Sequence, residues 1–139
     1  MTQLVDDQLL SRILRGGSAP KRRVAVFTTG YWYVRLCQAV LGAAERTGAL
    51  SGPFAALPAG ARERATQALL ELPETVGLLS LRGLGPHIGR LRQRHDLNIL
   101  GMEALAAAIQ LEADVYLSAA SPRLEAALRA EGRRVTVVL

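Results

Sequence analysis

Apolar residues fall into two kinds of run along this chain. Short unbroken runs occur at Arg23–Thr28, Val76–Leu81, Val115–Ser118 and Arg134–Leu139. These are rich in β-branched and aromatic residues and predict buried strands. Between them lie segments whose apolar positions recur every three or four residues, the spacing of a helix with one dry face. They cover Tyr31–Arg46, with Val34, Cys37, Val40 and Leu41 on the apolar side, then Ala61–Leu72, Gly85–His95, Asn98 or Gly101 to Glu112, and Pro122–Glu131. Ser51-Gly52-Pro53 opens a helical turn that ends near Pro58.

The punctuation fits these bounds. Thr29 and Ser121 supply N-cap hydroxyls, Pro86 and Pro122 suit first helical turns, and Gly48 and Gly132 suit helix ends. Residues 3–15 read as a short helix with Leu10, Ile13 and Leu14 at helical spacing, and Gly16-Gly17-Ser18-Ala19-Pro20 breaks it. The expected organisation is a helical extension and linker over 1–20, followed by one domain over 21–139. Continuous apolar strands alternating with helices predict a mostly parallel sheet of about four to five strands covered on both faces, a three-layer α/β/α sandwich.

The run Asn98-Ile99-Leu100-Gly101-Met102-Glu103-Ala104-Leu105, followed by Val115-Tyr116-Leu117-Ser118-Ala119-Ala120, resembles the C-terminal half of a PIN domain, and the likeness spans roughly residues 23–139. That family is a fold of metal-dependent ribonucleases. The resemblance implies four acidic positions: at the end of the first strand, in the next helical segment, at the start of a later helix and after a later strand. Here they fall on Thr28, Leu57, Gly101 and Ala120. Mg²⁺ and Mn²⁺ require oxygen ligands, usually carboxylates, to hold them and activate water. These four residues offer no carboxylate, so no catalytic residue and no cofactor is expected. Asp96 and Glu103 are the weak substitutes for metal binding. Glu103 lies two positions past Gly101, about 200° around a helix.

The rim beyond the strand ends would then carry Thr28, Thr29, Ser118 and Ser121 beside helix N-termini, a setting that suits an anion. Helix capping is the simpler use of these hydroxyls and the favoured one. The net charge of +5 at pH 7 points to an anionic partner, although arginine is spread along the whole chain. Arg90, Arg92 and Arg94 form the densest basic stretch and are the candidate RNA contacts. Gly83-Leu84-Gly85-Pro86-His87-Ile88-Gly89 has the air of a dinucleotide loop, but the spacing is GxGxxxG and Pro86 lacks an N–H for phosphate. His87 and His95 lack a third ligand for zinc.

Tyr31, Trp32, Tyr33 and Arg35 concentrate the aromatic content at one helix start. Adjacent residues cannot share a face, so part of this cluster is expected at an interface. The resemblance implies a homodimer and, for toxin–antitoxin members, a small antitoxin partner. No apolar run is long enough to span a membrane, and the N-terminus lacks the order of a signal peptide. With Cys37 as the lone cysteine, the expectation is a cytoplasmic protein. The function expected is a degenerate PIN-like module that binds RNA or regulates a protein partner, without enzymatic activity. The alternative is an active Mg²⁺- or Mn²⁺-dependent ribonuclease of toxin type with displaced acidic ligands.

Overall fold

Leu4 and Val5 sit side by side in the chain, are both fully buried, and belong to different cores. That single alternation sets the architecture. The computed structural model describes residues 1–42 and 48–138. It contains five parallel strands: β1 (Thr2–Val5), β2 (Ala25–Thr28), β3 (Val76–Leu78), β4 (Asp114–Leu117) and β5 (Val135–Val137), in the spatial order β3-β2-β1-β4-β5. Leu4 pairs with Phe27 on one side and Val115 on the other, so β1 is the middle of the sheet.

Seven helices appear among the described residues: α1 (Asp7–Leu14), α2 (Gly30–Leu41), α3 (Gly52–Ala55), α4 (Ala59–Leu70), α5 (Leu81–Leu91), α6 (Ile99–Leu111) and α7 (Pro122–Ala130). Leu4, Val115 and Leu117 pack with α5, α6 and α7. Val5, Val26 and Tyr116 pack with α1, α2, α3 and α4 on the opposite face. Strand side chains alternate between faces, so β1, β2 and β4 feed both cores. The result is the expected three-layer α/β/α sandwich, with a sheet that is wholly parallel.

The expected helix over residues 3–15 is corrected. Thr2–Val5 is a strand, and the helix begins only at Asp7. Far from being an appendage, this stretch supplies the central strand. The run is only four residues long and includes Gln3, which hides its strand character. Gln3 is nonetheless fully buried. Its amide donates to the carbonyls of Lys21 and Val24 and accepts the Lys21 N–H, so a polar side chain is satisfied by the returning connection.

Other boundaries shift for local reasons. Ser80 accepts the Arg82 N–H and starts α5 at Leu81, four residues before the expected start. Pro86 therefore lies inside that helix, and Gly83, Gly85 and Gly89 are helical instead of forming a loop. The dinucleotide-loop reading falls with that geometry. Helix α2 ends at Leu41 with Gly42 as its C-cap, and the rest of its expected length, residues 43–46, lies outside the described residues. Val34 and Leu41, expected on its dry side, are 49% and 47% exposed, because Trp32 and Leu36 define the buried stripe instead.

Candidate functional site

The chain runs outward from β1 to β2 and β3, then returns through α5 and α6 to place β4 on the other side of β1. In parallel sheets this reversal of direction leaves a crevice beyond the carboxyl ends of the two diverging strands. Here a cleft of about 190 Å³ opens at that place, walled by Asp6, Asp7, Trp32, Arg35, Ser118 and Ser121 among others.

Asp6 follows β1 directly and is 6% exposed. Its Oδ1 accepts the Leu9 N–H at 3.0 Å, capping α1. Its Oδ2 accepts both the N–H of Ser118 at 2.7 Å and the hydroxyl of Ser118 at 2.6 Å. Both carboxylate oxygens are thus used inside the fold. Neighbouring Asp7 differs. Its Oδ1 accepts the Gln8 N–H, while Oδ2 is buried without a hydrogen-bond donor and lies 3.5 Å from Nε of Arg35. Burial pushes the Asp7 carboxyl above its usual value, Arg35 pulls it back, and the Asp6 charge pushes it up again.

Three of the four hydroxyls of the rim are taken up within the fold. Thr28 and Thr29 are 1% and 2% exposed. Thr28 donates to the Val5 carbonyl, and Thr29 caps α2 by accepting the Trp32 N–H. Ser118 is spent on Asp6, which leaves Ser121 on the crevice wall without a side-chain capping bond. Ala120 also lines the crevice. Gly101 is buried in the first turn of α6, where its N–H donates to the Asn98 side chain. Leu57 packs into the core beneath α1 to α4.

Glu103 is fully buried. Its two oxygens accept the N–H groups of Gly30, at 3.0 Å, and Tyr31, at 2.8 Å. A carboxylate placed on a helix N-terminus meets the positive end of the dipole and satisfies two orphan donors at once. It ties α6 to α2 across the layers. Asp96 is 83% exposed at its side chain and pairs with Arg92 at 3.0 Å. Among the described residues, no three His, Cys, Asp or Glu side chains gather as a metal ion would need.

The basic stretch is largely committed elsewhere. Arg92 also donates to the Leu97 carbonyl. Arg94 forms a two-pronged pair with Glu131, at 2.9 and 3.0 Å, and His95 adds a contact at 2.7 Å. The hydrogen bonds from Arg94 and then His95 hold the Glu131 carboxyl at about 2. Arg90 is exposed near the end of α5.

The aromatic cluster is divided in the same way. Trp32 is in the core at 3% exposure, and Tyr33 donates its hydroxyl to the Leu69 carbonyl at 2.6 Å. Only Tyr31 and Arg35 reach the surface.

The sequence reading missed Asp6, Asp7 and Arg35 as one group because it took the wrong strand as the first. The signal was present: Leu4-Val5-Asp6-Asp7, a short apolar pair followed by a helix cap and a first-turn acid. No protein-family model matches the chain, and no curated protein matches it either. Among the described residues, no helix is long and apolar enough to cross a membrane.

Proposed function

We propose that this chain is a catalytically degenerate PIN-like module that binds RNA in the crevice between β1 and β4 without cleaving it. The observation that carries the reading is the state of the crevice. Arg35 stands on its wall, while the acid at the end of β1 is fully engaged by Leu9 and Ser118. With the central strand identified, Asp6 takes the first acidic position of the PIN-like pattern in place of Thr28. Gly101 and Ala120 remain at the later two. Asp6 is tied up by three hydrogen bonds and Asp7 is paired with Arg35, an arrangement that does not suit a divalent cation, which needs several oxygens free to converge on it. Arg35, which contacts Asp7 through Nε and is otherwise exposed, keeps N–H groups that suit a phosphate.

Fluorescence anisotropy with labelled single-stranded RNA tests the binding. Arg35→Gln is expected to weaken affinity by about tenfold, a loss on the order of 1.4 kcal/mol. Wild-type protein that leaves the RNA free at micromolar concentration overturns the reading.

A second reading draws on the pair Asp6 and Asp7, two adjacent acids facing one crevice. It is a Mg²⁺- or Mn²⁺-dependent ribonuclease of toxin type, kept in check by a small antitoxin. Chelator-sensitive RNA cleavage separates it from the first. Exposed Tyr31, Val34 and Leu41 on α2 support a homodimer. The lone thiol and the RNA partner fit a cytoplasmic setting.

A further inference from the structure

The crevice is one segment of a longer groove. It shares Arg35, Leu100, Ser121 and Leu124 with an adjoining cavity of about 340 Å³. That cavity shares Leu97 and Arg123 with another of about 430 Å³, which lies between α7 and the segment 94–97. The groove therefore climbs along α7 and opens into the crevice at the strand ends.

Its floor and charge follow from spacing. Arg123, Ala126, Ala127 and Ala130 recur at helical intervals and present one face of α7. The alanines keep the channel open. Arginines mark it at three levels: Arg94 at the far end, Arg123 midway and Arg35 in the crevice. Arg94 and Arg35 have side chains 58% and 55% exposed. Arg123 is exposed and has no carboxylate within ion-pair distance among the described residues. Arg94 spends only Nε and one terminal nitrogen on Glu131, so N–H groups remain to donate. The acids along the same path are partnered: Glu131 by Arg94 and His95, Asp96 by Arg92, Asp6 by its hydrogen bonds from Leu9 and Ser118, and Asp7 by Arg35 at 3.5 Å, whose exposed guanidinium keeps further N–H groups to donate.

We propose that this groove is the path of an extended single-stranded RNA, with Arg94, Arg123 and Arg35 each seating one phosphate and the 3′ or 5′ end entering the crevice. The inference rests on the RNA-binding reading above and adds the route. Spaced cations in an open channel fit a repeating anion, and a strand without secondary structure can follow a curved track.

The test is salt-dependent binding of a labelled single-stranded RNA to the full chain. Arg123→Ala is expected to weaken binding about fivefold and to lower the slope of log affinity against log salt by about 0.7, the contribution of one phosphate. Ala126→Glu with Ala130→Glu changes two exposed positions on α7, leaves the core alone and is expected to weaken binding about tenfold. Arg64→Ala, at an exposed position of α4, is the control and is expected to leave affinity unchanged. If Arg35→Gln abolishes binding while the α7 variants bind as wild type does, the route is wrong and the crevice reading stands. If wild type binds no RNA, both fall. If polyglutamate displaces the RNA at equal charge concentration, the groove takes an acidic protein segment and the RNA route is overturned.

Discussion

Oδ2 of Asp6 accepts two hydrogen bonds from Ser118, from its backbone N–H at 2.7 Å and from its hydroxyl at 2.6 Å. This contact joins the ends of β1 and β4 at the point where the strand order reverses. It makes the first acid of the crevice a latch. Asp6→Ala removes the latch and the α1 cap together and leaves the Ser118 N–H without its partner. The expected loss is about 3 kcal/mol in urea unfolding. Ser118→Ala keeps the backbone bond and is expected to cost about 1.5 kcal/mol. Equal stability of both variants and wild type would contradict the latch.

Glu103 plays the corresponding part between α6 and α2. Glu103→Ala strands the N–H groups of Gly30 and Tyr31 and opens a cavity, at a cost of about 4 kcal/mol. Glu103→Gln keeps one acceptor and is expected to lose about half as much. Urea midpoints of the two variants give the comparison, and a larger loss for glutamine than for alanine would refute the assignment.

Gly77 on β3 pairs beside Phe27, and a Cβ at Gly77 would overlap the Phe27 ring. Gly77→Ala is expected to destabilise by about 2 kcal/mol through overpacking, and Phe27→Leu in the same chain is expected to relieve part of that loss. A double-mutant cycle reads the coupling, and strict additivity would show that the ring is not the obstacle.

Glu131 gives the fold an acid-sensitive joint. Its carboxyl titrates at about 2 when folded, against an ordinary 4.5. The folded value is depressed, so this contribution is present above about 4.5 and is lost as pH falls toward about 2. Arg94→Ala removes the leading cause. The difference in stability between wild type and Arg94→Ala is therefore expected to shrink steadily across that window. A difference that stays constant from pH 6 to pH 2 would contradict the pairing.

Much of the fold was legible because long helices and buried strands leave strong patterns. The α6, β4 and α7 succession was read nearly to the residue, since Asn98, Ser121-Pro122 and Gly132 punctuate it with local chemistry. The central strand was not legible. Four residues carry too little periodicity, and buried Gln3 takes its meaning from the distant carbonyls of Lys21 and Val24. Missing that strand drew attention to the end of β2 at Thr28 and away from the end of β1 at Asp6. The hydroxyls were legible as helix caps, as Thr29 proves to be, but their other partners were not. Sequence offers Thr28, Thr29 and Ser118 as hydroxyls, but only the tertiary structure shows that Thr28 and Ser118 donate within the fold and that Thr29 accepts the Trp32 N–H. Arginine pairing was equally hidden, because Glu131 lies 37 residues beyond Arg94.

The decisive measurement is incubation of end-labelled single-stranded RNA with the purified chain in millimolar Mn²⁺ or Mg²⁺, resolved on native and denaturing gels side by side. The expected result is a shifted complex on the native gel and full-length RNA on the denaturing gel, with or without chelator. Fragments that vanish with chelator and with Asp6→Asn would show that the crevice cuts RNA, and the binding-only function would be wrong.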